Sequence, residues 1–332
     1  MQEKPAVTPA RGLDIGTSRI VVADRNGGGF EYRAQLNAFV CLPESRTVEA
    51  ILRKEGVPYK VNRPDIVVMG DRAEKFAQVF SGDTRRPMRQ GLLNPAERRS
   101  LEVIEDAILR LCGGARNNEK ICFSVPSPLP GGEGDLAYHE TSLAEMLGRL
   151  GFQSKSINEG LAVVFAELES SNFTGIGISF GGGLSNVCLA YLGMPVISFS
   201  TSKAGDYVDC SAAAVTGETP AAVRLVKEKS FSLNGHWSNN IEQALTVYYD
   251  DMIQTVVQRL TQQLSEARSV PKLDKPAPVV VSGGSALVAG FLPRVEKALR
   301  QASLPIAISE VRLAADPLNT TEIGRASCRE RV

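Results

Sequence analysis

The chain has 332 residues, 43% of them hydrophobic and 22% charged, which is apolar material enough for two cores of ordinary domain size. Lysine plus arginine and aspartate plus glutamate number 37 each, so no single-sign field exists to steer nucleic acid or an anionic membrane. No apolar run approaches the ~20 residues of a membrane-spanning helix. The stretch Met1–Ala10, with Pro5 and Pro9, reads as neither signal peptide nor amphipathic anchor, and the expectation is a cytoplasmic protein without a membrane anchor of its own.

In chain order, Gly12–Ile15 and Ile20–Ala23 read as strands joined by a Gly-Thr-Ser turn, and Phe30–Ala34 as a third after a glycine cluster. A proline-interrupted, less regular insert is expected from Gln35 to Arg63, then a buried strand Ile66–Met69 and a helix from Asp71 to about Val79. Pro95 is placed to open a helix carrying Leu101, Ile104, Ile108 and Leu111 on one face. Lys120–Val125 is predicted as a strand, Leu136–Leu150 as a helix, Ser154–Ile157 as extended, and Glu159–Glu169 as a helix. A second meander follows at Gly175–Ile178, Ser185–Tyr191 and Val196–Ser200, with helices at Tyr207–Val215, Pro220–Lys229 and about Ile241–Ala267. The apolar strand Val279–Val281 leads through Gly283-Gly284 into a helix at about Val288–Arg300.

The six cysteines include no CxxC pair, and His139 and His236 lie far from any second ligand in sequence, so zinc is not expected and the thiols read as buried and free. The terminal string Glu322–Val332 resembles a translated sequencing adapter, which would set the native end near Thr321 and remove Cys328 from the count. The repetition of meander then helices suggests two duplicated α/β domains facing each other across a cleft. Their expected limits are 10–158, with a small insert at about 31–64, and 159–321, with an insert at about 204–272.

Three glycine-rich turns carry the chemistry. Leu13-Asp14-Ile15-Gly16-Thr17-Ser18 ends a strand in a carboxylate and turns on small residues, an arrangement that brings N–H groups to a phosphate and an oxygen ligand to Mg²⁺. Ser179-Phe180-Gly181-Gly182-Gly183-Leu184-Ser185 is a triple-glycine turn between strands, which taken alone reads better as a flexible hairpin loop. Val281-Ser282-Gly283-Gly284-Ser285 runs from a buried strand into a helix and suits a flat base or a phosphate. Neither GxxxxGKS nor GxGxxG occurs, which removes the P-loop and dinucleotide readings.

The order of these turns resembles the actin and sugar-kinase ATPase superfamily, and within it the bacterial actins of the MreB family, from Gly12 to Thr321. Supporting strings are Arg86-Pro-Met-Arg-Gln-Gly-Leu92, similar to the entry to that family's first large helix, and Val125-Pro126. Asn158-Glu159-Gly-Leu-Ala, Ala204-Gly205-Asp206, Arg224-Leu-Val-Lys227-Glu228 and Ala315-Asp-Pro-Leu318 add to the resemblance. It implies duplicated ribonuclease H-like domains and ATP with Mg²⁺ as ligands. Asp14 would hold Mg²⁺; Gly16, Thr17 and Ser18, and Gly181, Gly182, Gly183 and Ser185, would cradle phosphates. Gly283, Gly284, Lys227 and Glu228 would flank the adenosine, and Glu159 would position the attacking water.

Two positions depart from the family's pattern: Ser179 stands for an aspartate and Leu184 for a threonine. Loss of a carboxylate from the Mg²⁺ surroundings and of a water-orienting hydroxyl implies binding with slow or absent hydrolysis. The leading expectation is a self-assembling cytoskeletal filament serving cell shape or positioning, with a cytoplasmic or membrane-associated protein partner. The alternatives are a non-polymerising scaffold module of a pilus or secretion machine, and a chaperone-type ATPase domain.

Overall fold

The computed structural model describes residues 11–26, 29–80, 82–115, 119–129, 133–267, 270–321 and 324. It divides into two compact units, the first running to Phe123 and including Ala137–Lys155, the second taking Ser124–Leu136 and the chain from Ser156. Of the terminal string 322–332 only Gly324 is among the described residues.

Unit 1 opens with the meander β1 (Arg11–Ile15), β2 (Arg19–Asn26) and β3 (Gly29–Leu36). It continues through β4 (Phe39–Pro43), α1 (Arg46–Lys54), β5 (Tyr59–Asn62), β6 (Asp65–Met69) and α2 (Arg72–Val79). A hairpin of β7 (Met88–Arg89) and β8 (Leu92–Leu93) precedes α3 (Ser100–Cys112), β9 (Lys120–Val125), α4 (Glu133–Arg149) and β10 (Gln153–Asn158). The main sheet has the order β10-β9-β1-β2-β3, with β1 antiparallel to β2 and parallel to β9. Valines and isoleucines on these strands, Ile20, Val22 and Ile121 among them, are buried, as apolar β-branched side chains favour on a pleated half-buried face, and α3, with buried Ile104 and Ile108, packs on β2 and β3.

The segment expected to be irregular is instead a small regular layer. Strands β4, β6 and β5 form a sheet whose Val40, Leu42, Ile66 and Val68 pack on Leu52 and Phe76 from the two short helices. The prolines terminate elements here rather than interrupt them. Pro43 ends an edge strand, Pro58 precedes β5, and Pro64 sits between β5 and β6, positions where a missing ladder donor costs nothing. The helix after Pro95 also starts later than expected, at Ser100. Asn94 Oδ1 accepts from Ala96 N at 3.2 Å and the Ser100 hydroxyl donates to Glu97 O at 2.8 Å, so local side-chain bonds hold a turn where a helix could have begun.

Unit 2 repeats the plan. It comprises α5 (Glu159–Glu167), β11 (Gly175–Phe180), β12 (Ser185–Tyr191), β13 (Met194–Thr201), α6 (Gly205–Thr216), α7 (Pro220–Lys229), α8 (Asn240–Glu266), β14 (Ala277–Ser282), α9 (Phe291–Gln301) and β15 (Ile308–Leu313). Its sheet order β13-β12-β11-β14-β15 matches that of unit 1 read from the meander side, again with the central strand antiparallel to one neighbour and parallel to the other. The helices start where the sequence caps them. Thr219 accepts from Ala222 N ahead of Pro220 at N1, and Asn239 accepts from Glu242 N while the Glu242 carboxylate takes Ser238 N. The core gathers Ile178, Val187, Phe199, Tyr249, Met252 and Phe291 around the central strands. Strand β15 was not foreseen in the sequence: it is an edge strand whose charged Glu310 and Arg312 mask the pattern, and only its pairing with β14 reveals it.

Of the five cysteines among the described residues, Cys122 and Cys188 are buried, while Cys41 and Cys112 are half-buried and Cys210 is exposed, so the expectation of buried thiols holds only in part. Burial pushes the Cys188 thiol up to about 12 and the Cys112 thiol up to about 11, leaving both protonated and unreactive at neutral pH.

Candidate functional site

The first and second glycine turns have the same backbone construction. In β1–β2 the last strand pair is Ile15 with Ile20, and Gly16 N donates to Arg19 O at 2.9 Å. In β11–β12 the last pair is Phe180 with Ser185, and Gly181 N donates to Leu184 O at 3.0 Å. Superposed by register, Asp14 falls on Ser179, Gly16-Thr17-Ser18 on Gly181-Gly182-Gly183, and Arg19 on Leu184.

In each turn the carbonyls are tied back into the unit. Gly16 O accepts from Asn37 Nδ2 at 2.8 Å, Thr17 O from Arg86 Nη1 at 3.2 Å and Ser18 O from Asn37 N at 2.9 Å. Gly181 O accepts from Gly205 N at 3.0 Å and from the Ser285 hydroxyl at 3.1 Å, and Gly182 O from Asp206 N at 2.8 Å. The intervening N–H groups differ: among the described residues those of Thr17, Ser18, Gly182 and Gly183 have no protein acceptor. Turns whose carbonyls are anchored and whose N–H groups are unused form a concave donor surface for an anion. An unused N–H out of contact with water costs roughly 1–3 kcal/mol unless a ligand takes it.

Side chains in the two turns do less. The Thr17 side chain is buried and its hydroxyl accepts from Gly91 N at 2.9 Å, which ties it to the neighbouring hairpin. Ser185 is fully buried and donates its hydroxyl to Lys203 O at 2.9 Å. Asp14 is half-buried at the end of β1; Ser179 is buried between Asn186 and Ser282 on the neighbouring strands; Leu184 is 3% exposed. The tip of the β7–β8 hairpin supplies Gly91, and the Arg86 side chain reaches Thr17 O just before it. The string Arg86–Leu92 therefore braces the first turn and does not enter a helix, a correction to the sequence reading.

The third turn joins the second. Gly283 has φ +96°, and a Cβ placed there would lie 2.3 Å from Phe180 O, so the close crossing of the β14 end over the β11 end admits glycine alone. Gly283 N and the Ser282 hydroxyl both donate to Pro317 O, at 2.8 and 3.0 Å. Gly284 differs: a Cβ there would meet only Leu318, at 3.7 Å, so the chain leaves space beside it. Lys227 lies in the same cluster, its ammonium 3.5 Å from Gly205 O and 2.7 Å from the fully buried Asp209, which Arg224 also pairs at 3.0 Å. Its charge offsets that carboxylate, and its stem is what remains for a ligand; Glu228 is exposed.

Glu159 opens α5, and its carboxylate accepts from Asn186 Nδ2 at 2.8 Å. Asn186 is fully buried; its Oδ1 accepts from Ser127 N at 2.9 Å and from the Ser200 hydroxyl at 2.6 Å. The helix comes this close because Gly160 has no Cβ: one would lie 2.6 Å from Cys188 N. The sequence reading passed over Asn37 and gave no role at the turns to Arg86, Gly91 or Asn186. Only Asn186 carried a signal, as the polar residue that follows the triple glycine by three positions on a buried strand.

Among the described residues no helix is long and apolar enough to cross a membrane, and no group of three or more His, Cys, Asp or Glu is placed to hold a metal ion by itself. No curated sequence matches the chain. A family model described as Volactin matches residues 10–325. Among the solved structures that share the fold are these three. A MamK double helical filament is 18% identical with TM-score 0.73, covering 98% of this chain and 99% of its own. A non-polymerising MamK mutant bound to AMPPNP is 18% identical with TM-score 0.60 over 97% and 99%. MreB 5 of Spiroplasma citri bound to AMPPNP is 15% identical with TM-score 0.69 over 96% and 95%. The fold is the two-domain fold of actin-like ATPases, as the order of the glycine turns implied.

Proposed function

The chain belongs to the Volactin family, and from that premise we propose that it binds ATP with Mg²⁺, assembles with copies of itself into filaments, and turns nucleotide over slowly or not at all. The observation that carries this reading is the matched pair of turns whose unused N–H groups, from Thr17, Ser18, Gly182 and Gly183, suit phosphate oxygens. The space beside Gly284 suits a base, with the Lys227 stem and Glu228 toward the adenosine. Support for the ligand and the assembly comes from AMPPNP in two structures of the same fold and from the filament in a third.

In this reading Asp14 is the carboxylate for Mg²⁺, directly or through water, since Mg²⁺ bound to nucleotide keeps most of its shell as phosphate and water. The ion supplies charge that offsets the phosphate oxygens. Glu159, held by Asn186, is the water-positioning group. Slow turnover follows from Ser179, which has no carboxylate to add at the place equivalent to Asp14, and from buried Leu184, which has no hydroxyl to orient water.

The test is high-speed sedimentation with Mg²⁺ plus ATP, ADP or no nucleotide, read together with electron microscopy and nucleotide binding. ATP-dependent pelleting with visible filaments supports the reading. Binding without assembly at high concentration would replace it with the scaffold-module reading, which the Ser179 and Leu184 departures favour.

A further inference from the structure

Four non-glycine residues among those described have left-handed backbone, and three of them, Asn172, Phe173 and Leu192, meet at one corner of unit 2. Leu192-Gly193 is the tip of the β12–β13 hairpin, closed by the pair Tyr191 and Met194, with φ +52° at Leu192 and +79° at Gly193. Such two-residue turns take asparagine or aspartate before glycine; leucine there is strained and gains nothing from the turn itself. The tip is held firmly nonetheless. Leu192 N donates to the Thr174 hydroxyl at 3.0 Å, and Gly193 N to Phe173 O at 2.9 Å. Gly193 lies beside the edge of the Phe165 ring and the Phe173 Cβ, and the two phenylalanine rings are 5.6 Å apart between centroids. From this fixed platform Leu192 and Met194 project 54% and 70% exposed.

The sequence therefore spends backbone strain to present two apolar side chains to solvent at a pinned turn, a pattern of function rather than of folding. The surroundings select the partner. No lysine or arginine occurs between Lys155 and Lys203, so the hairpin and its flanking strands offer no basic residue of their own to an anionic membrane. We infer that the Leu192–Met194 tip is a self-assembly contact that docks a second copy of this chain. The inference rests on the filament reading above and names one of its contacts; the likeness to a filament subunit over 98% of the chain favours a copy as the occupant.

The experiment compares the full chain with Leu192→Asn and with Leu192→Asn/Met194→Ser. Asparagine suits the left-handed position, so both variants should unfold at the same temperature as the parent or above it, and should bind ATP equally. The critical concentration for ATP-dependent pelleting should rise about tenfold in the single variant and further in the double, as expected of a buried apolar anchor. Unchanged pelleting in folded variants overturns this inference and leaves the filament reading intact. A parent that never pellets overturns both. Flotation of the parent, but not of the variants, with vesicles of neutral or anionic lipid makes the tip a membrane contact and overturns docking between copies.

Discussion

The two hairpin turns at Gly16–Arg19 and Gly181–Leu184 have one backbone geometry and two different means of support. The first is held by side chains from elsewhere in the chain: Asn37, Arg86 and, through the Thr17 hydroxyl, the tip of the β7–β8 hairpin. The second is held mainly by main chain, the first N–H groups of α6 reaching Gly181 O and Gly182 O, with the Ser285 hydroxyl as a further donor to Gly181 O. The first also keeps a carboxylate, Asp14, where the second has Ser179. Duplication thus preserved the donor surface while the side chains around it diverged. The first turn can be altered by single side-chain changes, and the second chiefly by moving backbone.

The largest expected effect follows from the main-chain support. Gly283→Ala would force a Cβ against Phe180 O at a positive φ and should destabilise the chain by about 4 kcal/mol in denaturant unfolding. Gly284→Ala, one residue on, should change stability by less than about 1 kcal/mol and lower nucleotide affinity instead, because the space it fills is the proposed base site. Equal stability of the two variants would break the distinction.

Asn37→Ala removes the side-chain brace of the first turn. Asn37 is 1% exposed and its amide serves Gly16 O, so the loss should cost about 2 kcal/mol and weaken ATP binding together. Unaltered binding would mean that the brace does not shape the donor surface.

Restoring the two residues that the family pattern implies is the sharpest functional test. Ser179→Asp with Leu184→Thr should raise phosphate release about tenfold, equivalent to roughly 1.4 kcal/mol of barrier. No rise would show that these positions do not limit turnover.

Counted per pH unit, the smallest effect concerns acid. His139 is buried and its Nδ1 accepts Leu93 N at 3.2 Å; burial lowers its pKa from the usual 6.5 to about 4. The unfolded chain then binds more protons between those values, so stability present above pH 6.5 is lost as pH falls toward 4, by roughly 1 kcal/mol per pH unit. Because Leu93 belongs to the hairpin that braces Thr17, hydrogen exchange in acid should loosen the first turn before the second, where no histidine is buried. Simultaneous loosening would remove the contrast.

Much of this was legible in the sequence. The two meanders, the capped helices at Pro220 and Asn239, and the glycine content of all three turns are local signals: alternation, cap residues, and positions that only glycine can take. The edge strand β15 and the elements between Phe39 and Asn62 were not, because charges at an edge and prolines at strand ends look the same in sequence as irregular chain.

By itself the sequence determined the strands of both meanders and most of the helices, that the plan occurs twice, and that Asp14 and Ser179 differ in their power to hold a cation. Those properties depend on residues within a few positions of one another. Only the tertiary structure decided what braces each turn, why Gly283 cannot be replaced while Gly284 can, and which amide holds Glu159. Asn37, Arg86 and Gly91 lie 21, 69 and 74 positions from the residues they support. A hydrogen bond across such separations leaves no periodicity in the chain; it exists only once packing has covered the loop-closure entropy and brought the partners together.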